Sequence, residues 1–121
     1  MKTWLIIGAS LAGLSVLVGA FGAHGLKSRV TPLDLGIFET GVKYQMYHSL
    51  GLILIGIIGF FFRHDILIIP AILLFFGTII FSGSLYLIVL TNLRWLGAVT
   101  PIGGIFLVLG WIFLSVNLFR H

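Results

Sequence analysis

Four apolar stretches of about twenty residues each occupy most of this chain and leave few folds open to it. They cover about residues 4–21, 45–62, 66–90 and 96–119. A helix needs about 20 apolar residues to cross a hydrocarbon core of ~30 Å. Backbone at that depth has no water to bond, so such stretches must be helical. Hydrophobic residues make up 60% of the chain and charged residues 8%, too little polar surface to coat a soluble fold. The expected fold class is all-α, a four-transmembrane-helix up-down bundle in one integral-membrane domain over residues 1–121. Arg63-His64-Asp65 alone joins spans two and three, and Thr91 to Trp95 joins three and four. Connections that short demand antiparallel hairpins.

The longest connection, His24 to Tyr44, carries structure of its own. Thr31 can cap a helix that begins at Pro32, whose fixed φ and missing N–H suit a first helical position. Asp34 complements the dipole in that first turn. Leu35, Phe38, Val42 and Met46 recur at helical spacing, and Glu39 and Lys43 are placed for an i,i+4 pair. A short interfacial amphipathic helix is therefore expected over about residues 32–43, between spans one and two. It should run into span two, with a bend at Gly41. Thr100-Pro101 repeats the cap-then-proline pattern, which would start the membrane part of span four there.

Charge adds a second constraint. Lys+Arg 7 against Asp+Glu 3 gives a formal net charge of +4. The basic residues are scattered singly, which suits contact with anionic lipid headgroups and does not make a nucleic-acid patch. The expected surroundings are the lipid bilayer, with no nucleic-acid partner. A homo-oligomer or a membrane-protein partner remains a candidate association. Lys2, Arg63 and Arg120 would lie on one side, and Lys27, Arg29, Lys43 and Arg94 on the other, too even a split to orient the chain. With no cysteine, disulfides, thiolate nucleophiles and cysteine metal sites are excluded, and no cofactor is expected. Lys2, the apolar core after it and Ala20-Phe21-Gly22 imitate a secretory signal, but the long apolar stretch favours a membrane span.

Small residues mark the packing faces. Gly8, Ala12, Ser15, Gly19 and Gly22 form a continuous stripe on span one, where close backbone approach can drive helix association. Gly51 and Gly59, Gly77 and Ser84, and Gly97 and Gly104 repeat the idea on the other spans. Packing within the bundle is the simpler reading of the stripe, and dimerisation is the alternative. Trp4 and Trp95 sit at span ends, where indoles favour the headgroup level. Trp111 is mid-span and is expected in the core.

The polar residues fall mostly at one end of the spans. His24, Glu39, Tyr44, Gln45, Tyr47, His48, Ser82, Ser84, Tyr86 and Thr100 are expected to converge in one leaflet. Ionisable groups at membrane depth are expensive and so are functional candidates by default. A structural role, with the histidines holding helices in register through hydrogen bonds, is the first reading. A pocket for a lipid headgroup or small polar molecule is the second. His24, His48 and Glu39 form a weak candidate zinc set, since no HxxH or HxxxH spacing ties them together. No catalytic residues are assigned, because no triad or nucleophile elbow is present. A small transporter or channel using the same cluster is an alternative. It is disfavoured because Asp34, Glu39 and Asp65 all fall in connections or at interfaces, leaving no carboxylate within a span. The expected protein is non-enzymatic.

Four ordered motifs resemble a known family. Gly19 to Leu26 reads GAFGAHGL, Tyr44 to Leu52 reads YQMYHSLGL, Phe81 to Thr91 reads FSGSLYLIVLT, and Leu96 to Trp111 reads LGAVTPIGGIFLVLGW. Together they are similar to the bacterial small membrane proteins grouped as UPF0382, or DUF423, over nearly the whole chain. The resemblance implies a multi-pass protein of the bacterial cell membrane and brings no catalytic residues with it. The family's motif positions match the ten polar residues named above and Pro101.

Overall fold

Thr31 shows how the sequence sets its longest helix. Its backbone is extended, and its hydroxyl accepts a hydrogen bond from the Asp34 amide at 3.2 Å, with Pro32 following in the first turn. In the computed structural model, which describes residues 1–121, the helix begun there is α2, running unbroken over Pro32–Ile58. Before it come α1, Lys2–Phe21, and a π-helical turn, Gly22–Leu26. After it come α3, Ile68–Thr91, and α4, Thr100–Arg120, each preceded by a short 3-10 turn. Strands are absent. Asn92 ends α3 in the left-handed conformation (φ 59°), its amide bonded back to Ile88 O.

Three helical segments are long and apolar enough to cross a membrane: Lys2–Leu26, His64–Thr91 and Arg94–Arg120. At 27 residues α2 is the longest single helix, ~40 Å, but Lys43, Gln45, His48 and Ser49 interrupt its apolar character. The expected interfacial helix over 32–43 is thus no separate element. It forms the first three turns of α2, which passes Gly41 without a break, and the Tyr86 ring packs on that glycine. The second stretch also ends earlier than expected, since Phe60, Phe61 and Phe62 lie outside α2. Leu96 belongs to the 3-10 turn, so the regular part of the last stretch starts at Thr100. Thr100 does not cap it: that place belongs to Val99, and the Thr100 hydroxyl turns to Ser84 instead.

The extensive interfaces are α1 on α2, α2 on α3 and α3 on α4, each antiparallel; α1 and α4 share none. The helices form an open series. Along α1/α2, Gly22 meets Phe38, Gly19 meets Val42, Gly8 meets Ser49 and Ile53, Leu5 meets Gly56 and Met1 meets Gly59. A Cβ on Gly8 would lie 2.7 Å from the Ser49 carbonyl oxygen, so only glycine allows that approach. Across α3/α4, Gly77 faces Leu107, Phe81 faces Gly103 and Leu74 faces Gly110. The main core, built around Leu52, Ile55, Leu67, Leu74 and Leu107, fills the half of the series nearest the α2–α3 turn. A smaller one at the opposite end joins Leu26, Phe38 and Val89.

Two ion pairs are present. Arg63 and Asp65 pair across the short turn with both side chains well exposed, an arrangement that contributes little. Arg94 reaches from the turn before α4 to the first turn of α2 and grips Asp34 with two bonds of 2.9 and 2.7 Å. Those hydrogen bonds hold the Asp34 carboxyl below its ordinary value, against its partial desolvation. A depressed folded-state pKa gives stabilisation that is complete above the unfolded carboxylate value of about 3.9 and is lost as pH falls through the lower folded value. Arg94→Gln should therefore flatten part of the fall in melting temperature between pH 6 and pH 3, whereas Arg63→Gln should alter it less. Superimposable acid profiles for Arg94→Gln and wild type would remove the pair from the stability of the fold. Glu39 and Lys43, expected as an i,i+4 pair, form no ion pair.

Candidate functional site

Gln45 lies halfway along α2, where a residue inside the series must satisfy its amide without water. Its Nε2 donates to the Leu11 carbonyl of α1 at 2.8 Å. Its Oε1 accepts from the Tyr86 hydroxyl of α3 at 2.7 Å. One side chain thereby ties three helices. A turn away, Ser82 Oγ donates to the Gly41 carbonyl at 2.7 Å, a second bond from α3 to α2. Ser84 and Thr100 share a 2.6 Å hydroxyl bond that joins α3 to α4. Phe38 packs on the Tyr86 ring, with centroids 5.1 Å apart, and seals the network from the α1 side. No buried polar side-chain atom is left without a partner.

His48 sits one turn further along α2, 6% exposed. Its Nδ1 lies 2.8 Å from the Tyr44 carbonyl. The ring forms part of an aromatic row: Phe81 stacks on Tyr44 (4.6 Å), Tyr44 on His48 (6.0 Å), and Trp111 stands 5.8 Å beyond. This row floors a groove of about 600 Å³ between α2, α3 and α4, closed on its other side by Pro101, Gly104, Ile105 and Val108. Trp111 is 38% exposed and so does not belong to the core, although its indole packs against Gly51.

The ten candidate residues thus divide. Tyr44, Gln45, His48, Ser82, Ser84, Tyr86 and Thr100 are drawn together by α2, α3 and the start of α4. His24 is exposed on the π-helical turn and makes no hydrogen bond. Glu39 and Tyr47 are exposed on α2. His24, His48 and Glu39 do not assemble into a metal-ligating group: His24 and Glu39 are exposed, whereas His48 is buried. The network extends to Leu11, midway along α1, which Gln45 reaches from the middle of the unbroken α2.

Three participants escaped sequence reasoning. Asp34 and Arg94 are sixty positions apart with nothing local to pair them. Asn117 Nδ2 donates to the Ile66 carbonyl at 2.8 Å and ties α4 to the turn before α3. An asparagine in an apolar stretch was a legible signal for such a bond. The other small-residue positions vary: Gly97 meets nothing within 4 Å and Gly104 only brushes Phe81, whereas Gly8, Gly19 and Gly22 all meet α2.

An all-α chain with three helices able to cross a bilayer, and with its polar side chains satisfied between helices, defines a small helical membrane protein. A family model described as a protein of unknown function, DUF423, matches residues 18–104, and the chain belongs to that family. It is 45% identical to a UPF0382 membrane protein of Staphylococcus saprophyticus over 120 residues, 99% of each chain. It is 40% identical to the UPF0382 membrane protein YwdK of Bacillus subtilis over 126 residues, covering 100% of this chain and 99% of that one. No solved structure matches.

Proposed function

We propose that this is a four-span, non-enzymatic protein of the bacterial plasma membrane that holds a membrane-dissolved molecule in the groove between α2, α3 and α4. The observation that carries the binding reading is His48, a polar side chain lining an otherwise largely apolar concavity of about 600 Å³. That volume lies within the roughly 300–1,000 Å³ usual for small-molecule sites. The fourth span is α2 between Phe38 and Gly59, the segment that runs alongside α1 from Gly22 to Met1. Its ~33 Å covers a hydrocarbon core and the start of the headgroup layer, where the exposed Glu39 and Lys43 lie, with Asp34 and its Arg94 partner left outside. A transporter is less well supported, because beyond Ser49 the buried face of α2 is Leu52, Ile55 and Gly56, with no polar path onward.

Two experiments test this. The cysteine-free chain accepts single cysteines at Thr3, Ser28 and Phe119 for labelling with a membrane-impermeant maleimide. Four spans place Thr3 and Phe119 on one side and Ser28 on the other; termini on opposite sides would exclude that count. Native mass spectrometry of protein taken directly from bacterial membranes should show a reproducible bound mass that is lost in Gly104→Leu, which fills the groove. Bare wild-type protein would sink the binding reading.

A further inference from the structure

The one buried polar side chain of the groove, His48, is one-sided in its hydrogen bonding; Tyr44 and Trp111 add a hydroxyl and an indole N–H to the lining but are each 38% exposed. A carbonyl only accepts, so at the 2.8 Å contact with Tyr44 O the His48 Nδ1 carries the proton. In the neutral ring Nε2 then holds a lone pair. It has no protein partner, yet no buried polar side-chain atom in the protein lacks one. Nε2 must therefore open onto the groove that His48 lines. What the site offers a guest is an apolar trough with a hydrogen-bond acceptor in its floor.

Depth narrows the guest further. His48 stands beside Trp111, in the middle of α4, and its neighbour Ser49 packs on Gly8 of α1. No lysine or arginine lines the groove, so an anionic headgroup would find no countercharge there, and a charge at that depth is costly. A partner helix is also a poor fit, because close helix packing wants small residues and the walls carry Phe81, Ile105, Val108 and Trp111. We infer that the groove receives an uncharged amphiphile with a hydroxyl head, such as a long-chain alcohol, whose O–H donates to His48 Nε2 while its chain lies between α2 and α4. This deepens the binding reading above and rests on it.

The test uses the full chain in phosphatidylcholine nanodiscs, titrated with 1-hexadecanol or with hexadecyl methyl ether, which keeps the chain and an oxygen acceptor but has no donor. Bound fraction is read by native mass spectrometry. The alcohol should bind about fivefold more tightly than the ether, the scale of one net hydrogen bond. His48→Phe should erase that preference, and Tyr44→Phe, which leaves the carbonyl and His48 in place, should keep it. Equal binding of both probes to wild type would overturn the hydroxyl inference while the groove reading stood. Binding of neither, or a dimer closed to both, would overturn the two together. Gly104→Leu guards against a misfolded His48 variant. A Cβ there meets only Phe81 ring atoms at 3.8 and 3.9 Å, so the fold should survive and both probes should be lost. An alcohol preference that persists in Gly104→Leu would place the site elsewhere and overturn the proposal.

Discussion

Gly103→Leu should leave little folded protein in mild detergent, the largest loss of any single substitution in the chain. Gly103 packs directly on the α3 backbone: a Cβ would fall 2.8 Å from Phe81 Cα and closer still to its amide nitrogen. A backbone cannot rotate aside as a side chain can, so α3 and α4 would have to separate along their contact at Phe81. Overpacking in a well-filled site typically costs 1–3 kcal/mol, and a clash with backbone should reach about 3 kcal/mol or more. Gly83→Ala on α3 is the paired control, since nothing lies within 4 Å of its Cβ position. Alanine there should stabilise by about 0.5–1 kcal/mol, the helix-propensity gain over glycine. Similar melting temperatures for Gly103→Leu and wild type would mean that the α3/α4 contact is not as drawn.

Gln45→Leu should produce the second-largest loss. The substitution keeps a side chain of similar size but makes it apolar, which removes both helix-to-helix bonds, to Leu11 O and from Tyr86 OH. Interhelical hydrogen bonds in membranes contribute about 1 kcal/mol each, so a loss of about 2 kcal/mol is expected, with Tyr86→Phe costing about half as much. The double variant should be less damaged than the two single effects added together, because both singles break the same bond. Strict additivity in thermal unfolding would show that the Gln45–Tyr86 bond does not form.

Much of the fold was legible because apolar length and short connections carry most of the information in such a chain. Arg63-His64-Asp65 forced an antiparallel turn, and Thr31-Pro32 announced a helix start that the hydroxyl-to-amide bond then makes. The continuity of α2 was harder to read. Its polar first turns look like surface helix, and only the partners that α1 and the π-helical turn supply, Gly19 at Val42 and Gly22 at Phe38, show they are packed. The candidate site was half legible. Residue type pointed to Gln45, His48, Ser82 and Tyr86, since polar groups inside a membrane protein need partners. Their partners are largely backbone carbonyls, at Leu11, Gly41 and Tyr44, which no sequence pattern distinguishes. His24 looked equivalent to His48, but it lies exposed on the π-helical turn beyond α1, whereas His48 is buried within α2.

The serial arrangement bears on how the molecule is made. Because every large interface joins a helix to the next one in the chain, each newly made helix finds its mate already in place. The Met1–Gly59, Gly8–Ser49 and Gly22–Phe38 contacts can close before α3 has left the ribosome, and α3 then offers Phe81 and Gly77 to the arriving α4. Low contact order of this kind favours fast assembly with little opportunity for mispairing. Asp34 and Arg94, bonded across sixty positions, clasp only after three helices are in place, which makes that ion pair a latch on the finished array.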